Sequence, residues 1–148
     1  MATGYLAWKN NYNLKKDKMK RDNMKQTVLS AKAPQPLGPY SQAVKAGKFL
    51  FVSGQLPIDP EEGKIVAADV ASQTRQVMEN IKAILEAADY TMKNVVSTNV
   101  YLSSMASFDK FNEEYAKHFD GEFPARATTG CELKAGALVE VSVVAYRD

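Results

Sequence analysis

Across residues 69–88 the apolar side chains Val70, Val77, Ile81, Ile84, Leu85 and Ala88 recur three and four apart, uninterrupted by proline or glycine. That spacing predicts one amphipathic helix of about five turns, whose single apolar stripe needs a broad apolar surface to lie on. The flanking segments supply one. Residues 95–102 alternate Val96, Thr98, Val100 and Leu102 against Val95, Ser97, Asn99 and Tyr101, the two-residue period of a strand. Before the helix, residues 26–30, 41–46 and 49–56 read as strands, the last two joined at Gly47 as a hairpin, and the three prolines of residues 33–39 hold a loop between them. Gly54 falls inside the third strand, where a bulge or the close approach of a ligand would each require the missing side chain. After residue 102, Phe108, Phe111, Tyr115 and Phe119 predict a second helix, capped at Ser104 or Ser107, whose aromatic stripe belongs to the core. Strands over 126–133 and 138–146, separated by a turn at Lys134-Ala135-Gly136, close the chain.

The order β, β, β, α, β, α, β, β departs from the regular alternation of a doubly wound sheet. It predicts an α+β fold, a mixed sheet with two helices packed on one face. No third helix is left for the opposite face, so a second copy of the chain is the economical cover and a homo-oligomer is expected.

At 148 residues the chain is the size of one domain. Residues 1–23 carry six basic side chains against Asp17 and Asp22, a surplus of four; the remainder has thirteen basic and fifteen acidic residues, a net −2 without a clustered Lys/Arg face. The first segment reads as a disordered extension with no signal-peptide core, an organellar address or a docking tail being the alternatives, and Met24 as an alternative start of the domain 24–148. A net-acidic domain is poorly suited to a phosphate backbone, so nucleic acid is not an expected partner. No apolar run approaches the roughly 18–20 residues that cross a bilayer. One cysteine, Cys131, forms no internal disulfide, and the cytosol is the expected compartment.

The same economy limits the chemistry. One histidine, His118, and one cysteine cannot make a zinc site, and the acidic residues lack a binding-loop spacing, so no metal is expected. His118 reads as a helix-surface residue and Cys131 as a small buried hydrophobe rather than a nucleophile. There remain groups near strand ends: Tyr40, Ser53 with Gly54, Asn112, Arg126 and Glu140. Arg126 is expected on an inner strand, where its guanidinium needs an anion, either a structural carboxylate or a bound carboxylic acid held by two parallel hydrogen bonds.

These residues sit in segments that resemble one family. Gly38-Pro39-Tyr40-Ser41-Gln42-Ala43, Val52-Ser53-Gly54-Gln55-Leu56-Pro57, Phe108 with Asn112 and Tyr115, and Phe123-Pro124-Ala125-Arg126-Ala127-Thr128 followed by Val139-Glu140-Val141 are similar, in order, to the RidA (YjgF) reactive-intermediate deaminases. The likeness runs from Met24 to the C-terminus. It implies a chorismate-mutase-like α+β fold, a barrel-like homotrimer with clefts between subunits, and no bound cofactor. It further implies hydrolysis of 2-imino or 2-enamino acids, released by pyridoxal-phosphate dehydratases, to 2-oxo acids and ammonia. By the resemblance Arg126 holds the substrate carboxylate, Glu140 handles the water and its protons, and Tyr40, Ser53, Gly54, Asn112 and Thr128 line the pocket. Some family members are described as endoribonucleases or translation inhibitors, and a non-enzymatic trimer that senses 2-oxo acids is a third reading. Two departures stand out: the 119–123 loop is about three residues shorter than usual and the 126–133 stretch about one shorter, which reverses the facing of every later residue in the strand unless a bulge absorbs it. Gly130 is the expected place for that bulge, and Thr128 occupies a position often filled by cysteine.

Overall fold

The computed structural model describes Leu14 and residues 24–148; the expectations for the amino-terminal extension lie outside the described residues. Gly47, at φ +59°, turns the chain between β2 (Ala43–Ala46) and β3 (Phe49–Gln55), which pair as the hairpin that the sequence predicts. β1 (Gln26–Val28) pairs with β2 but stops two residues short of its expected end. There Gln42 takes over: its Oε1 accepts from Ser30 N at 2.6 Å, and its Nε2 donates to the carbonyls of Ser30 and Pro34 at 3.1 and 2.8 Å. One buried amide therefore satisfies a loop whose prolines cannot enter a ladder.

Two short strands, β4 (Ile58–Asp59) and β5 (Lys64–Ile65), form a separate hairpin that periodicity does not reveal. Two residues are too few to show a period, and the turn is held by Asp59 Oδ1, which accepts from the backbone N–H of Glu61 and Glu62 at 2.8 and 3.0 Å.

α1 (Val70–Ala87) matches the predicted helix; Asp69 caps it by accepting from Ser72 N at 2.9 Å. Its buried stripe of Val70, Val77, Met78, Ile81, Ile84 and Leu85 lies on β3 and on β8 (Val139–Tyr146). β6 (Val95–Leu102) forms over the expected residues with Thr98, Val100 and Leu102 on the buried face, but a register shift against β8 between Val95 and Ser97 turns Val95 inward and leaves Val96 exposed, the reverse of the expected facing. α2 (Phe108–Ala116) ends before Phe119, and Ser104 caps the short 3-10 turn that precedes it rather than the helix itself.

The six-stranded sheet runs β1-β2-β3-β8-β6-β7, every pair antiparallel except β6 with β7 (Ala125–Gly130). The mixed α+β sheet with two helices on one face is thus the observed fold. One expectation is overturned: β7 is an edge strand, not an inner one. The expected irregularity at Gly130 is also absent, since pairing runs without a shift from Ser97↔Ala125 to Leu102↔Gly130. The strand ends there, and Cys131 N donates to Leu102 O at 2.9 Å as the chain leaves the sheet.

Along β8, Val139, Val141, Val143 and Ala145 are buried under the helices while Glu140, Ser142, Val144 and Tyr146 face away. Phe49 and Phe51, on the same outward face, are 44% and 47% exposed, and Phe49 packs against both Phe51 and Tyr146 at ring distances of 6.2 and 5.1 Å. The second face of the sheet therefore carries an apolar patch at Phe49, Phe51, Val144 and Tyr146 and, in the single chain, is uncovered.

Candidate functional site

Arg126 lies on β7 directly beside Thr98 of β6, whose side chain is buried under α2. Alternation along both strands puts Arg126, Thr98 and Thr128 on the helix side of the sheet. Because β7 is the edge, the Arg126 side chain is exposed, and the solvation problem expected of an inner arginine does not arise. Among the described residues no carboxylate forms an ion pair with it. Its guanidinium carbon lies 5.7, 5.5 and 4.9 Å from the ring centres of Phe108, Phe111 and Tyr115. Asn112, Tyr115, Phe123, Pro124 and Arg126 line an open cleft of about 420 Å³. In it Asn112 Oδ1 is a buried acceptor with no hydrogen-bond donor.

The remaining candidates gather elsewhere. Pairing between β3 and β8 shifts register between Val52 and Gln55, so Gly54 sits in a bulge, as one sequence reading has it. The close approach that needs its missing side chain is made by Glu140: a β-carbon at position 54 would overlap that carboxylate. Burial against this stretch pushes the Glu140 carboxyl above its ordinary range. Ser53 Oγ donates to Ser41 O at 2.7 Å, anchoring the loop that carries Tyr40, and Tyr40 Oη accepts from Leu37 N at 3.2 Å. Tyr40 and Gly54 share a narrow slot with Gln42 and Leu56.

The candidates thus fall into two sets. Arg126, Asn112 and Thr128 are on the helix side at the sheet edge; Glu140, on the outward face, stands over Gly54, with Ser53 and Tyr40 nearby. Tyr101, the β6 partner of Glu140, is outward while Thr98, the partner of Arg126, is inward, so the register itself places the two charges on opposite faces. Within one chain they do not form an ion pair, so among the described residues no carboxylate of the same chain is the anion of Arg126.

Two other readings change. His118 is not a helix-surface residue: it lies past the end of α2, its side chain 14% exposed, with Nε2 3.6 Å from Glu114 Oε1, and burial holds its pKa below the usual value. Cys131 is exposed rather than buried, because it comes after the last paired residue of β7. Among the described residues no group of His, Cys, Asp and Glu could hold a metal ion. Sequence reasoning missed the contact of the aromatic stripe with Arg126. Its signal was present, since Phe108, Phe111 and Tyr115 share one helix face, but such a stripe reads first as core, and Phe111 and Tyr115 are indeed buried.

A family model described as Endoribonuclease L-PSP matches residues 30–147. The chain is 51% identical over 126 residues to a RutC family protein of Pyrococcus horikoshii, spanning 84% of this chain and all of that one. It belongs to the RutC/RidA family. Another family member, the human 2-iminobutanoate/2-iminopropanoate deaminase, is 38% identical over 84% of this chain and 91% of its own length. The crystal structure of RidA from an Antarctic Psychrobacter superposes with a TM-score of 0.80 at 40% identity, covering 82% of this chain and 99% of that one. The RidA fold accordingly spans the domain described above.

Proposed function

We propose that this RidA-family protein hydrolyses 2-imino and 2-enamino acids to 2-oxo acids and ammonia, at sites completed between subunits of a homotrimer. The observation that carries the reading is Arg126, an exposed guanidinium with no anion from its own chain among the described residues, set in an open cleft. A planar guanidinium offers two parallel N–H donors to a carboxylate, which orients the α-carbon of the acid that it holds. The activity for which the human relative is named, at 38% identity, supports an imine at that carbon.

Glu140 is the carboxylate assigned to the chemistry. Water adds to the C=N carbon as one of its protons passes through Glu140 to the imine nitrogen; Glu140 then takes the hydroxyl proton of the carbinolamine and delivers it to the amine, the C–N bond breaking as the C=O forms and ammonia leaving. The raised pKa of Glu140 suits a group that both takes and returns a proton. Arg126 and Glu140 face opposite sides of one sheet, so a ring is required in which the edge of one subunit meets the uncovered face of the next. Phe49, Phe51 and Tyr146 supply the apolar surface for such a contact.

The test couples a threonine dehydratase to this protein and follows loss of the imine. Wild type should accelerate it, and Arg126→Ala should reduce the acceleration by about a hundredfold or more. Without acceleration by wild type the enzyme reading is lost, and a non-enzymatic trimer binding 2-oxo acids through Arg126 takes its place. Full rate in Arg126→Ala would move the site elsewhere.

A further inference from the structure

The guanidinium of Arg126 is exposed yet aimed, and what aims it is not another charge. Phe108, Phe111 and Tyr115 lie on one stripe of α2, at spacings of three and four, and all three ring centres are within 5.7 Å of the guanidinium carbon. Tyr115 is in turn fixed from the sheet. Its hydroxyl and Thr98 Oγ1 share a buried hydrogen bond of 2.9 Å, and Thr98 is the β6 residue paired with Arg126. Helix, inner strand and edge strand therefore meet at one arginine.

We infer that the stripe Phe108, Phe111 and Tyr115 is a positioning element for Arg126, holding the guanidinium against aromatic rings so that its N–H donors stay free for a carboxylate ligand. The chemistry favours rings over a carboxylate here. A guanidinium carries its five N–H groups in its plane, and an aromatic face attracts the cation without consuming any of them. A carboxylate partner would occupy two donors and cancel the charge, leaving a poorer anion receptor. Among the described residues the Arg126 guanidinium makes no hydrogen bond and no ion pair, as such a receptor requires. A long side chain at a sheet edge otherwise samples many rotamers, and ordering it costs affinity when ligand binds. The stripe removes part of that cost in advance.

This inference rests on the carboxylate role of Arg126 proposed above, and its test is chosen to separate the two. Phe108 is the ring to change, because it is only half-buried while Phe111 is in the core. Binding of 2-oxobutanoate is measured by calorimetry for wild type, Phe108→Leu, Phe108→Tyr and Arg126→Lys, alongside the imine assay and the NMR resonance of the Arg126 Nε–H. Phe108→Leu should weaken 2-oxobutanoate about fivefold and raise KM for the imine by a similar factor with kcat held, since ground state and transition state lose the same contact. Phe108→Tyr should restore both. In wild type the Nε–H resonance should be displaced by ring currents from the free-arginine position, and in Phe108→Leu it should move back towards it.

Unchanged affinity and resonance in Phe108→Leu would overturn the inference, as would equal losses in the Leu and Tyr variants, which would mark packing rather than the ring. If Phe108→Leu does not fold, the wild-type resonance still decides, a free-arginine position counting against. Arg126-dependent binding of 2-oxobutanoate without imine turnover would end the deaminase reading and leave the receptor standing. No binding by wild type would overturn the receptor itself.

Discussion

A methyl group at position 54 would overlap the Glu140 carboxylate, which would have to move to admit it. Gly54 does not have a positive φ, so an L-residue is acceptable to the backbone and the penalty falls on Glu140 instead. Gly54→Ala should therefore fold and lose about tenfold or more in kcat/KM, because a displaced base no longer meets the water; an unchanged value would show that Glu140 is not aimed by the bulge. The raised pKa of Glu140 makes a second prediction. An ionised base is needed for turnover, so the acid limb of kcat/KM should lie above the ordinary glutamate value of 4.5, and Glu140→Gln should abolish that limb and cost about a hundredfold in rate. The sign for stability is opposite. A carboxyl whose folded pKa is raised contributes fully below 4.5 and loses that contribution as pH rises through the folded value, so in the dissociated subunit, where no guanidinium of a neighbour faces it, Glu140→Gln should unfold at a higher temperature than the unsubstituted chain at pH 7. Sequence alone left the bulge at Gly54 and a close approach as alternatives. The structure has the bulge, and the group that comes close is not a ligand but the Glu140 side chain from β8, 86 residues further along the chain, a distance over which local periodicity carries no information.

The two helices are joined by one carboxylate. Glu114 of α2, its side chain 4% exposed, accepts from Arg75 of α1 at 3.0 and 3.3 Å and from Lys117 at 2.8 Å, with His118 beside it. The Arg75 hydrogen bonds, reinforced by Lys117, pull its pKa down to about 2. Its contribution is present above 4.5 and fades as pH falls towards 2. Both cations are more than half exposed, so solvent screens the pair, and Glu114→Gln should cost about 1–2 kcal/mol at neutral pH. Urea unfolding of both proteins at pH 7 and pH 3 checks this: the gap should narrow at the lower pH, and an equal gap at both would assign the loss to packing. At this scale α1, α2 and the β2–β3 hairpin were legible because each keeps one period over several turns or pairs, whereas the shift at the start of β6 broke the alternation that placed Val95 and Val96. The place of β7 was not. The sequence reads as a strand over 126–133, but neither its parallel pairing with β6 nor its edge position can be read from its own residues, and the mistaken inner placement of Arg126 came from that gap.

At the scale of the molecule, the uncovered face and the divided site are one problem. Side-chain parity fixes Arg126 and Glu140 on opposite faces, so no movement of a single rotamer unites them. The proposed ring of heterologous contacts would do so, with Arg126 from one subunit and Glu140 from its neighbour. Phe51→Glu, which buries a charge in the proposed contact, should give monomers on sedimentation and remove turnover while the domain stays folded; a fully active monomer would end the shared-site proposal. The sharper test uses two inactive proteins. Arg126→Ala retains Glu140, and Glu140→Gln retains Arg126. Unfolded together in equal amounts and refolded, they assemble at random, and about one quarter of the interfaces pair an intact arginine with an intact glutamate. Turnover should then recover to about one quarter of the wild-type value, with the KM of the wild type because each restored site is complete. If both groups acted within one chain, every chain in the mixture would still lack one of them, and no subunit exchange could restore the rate.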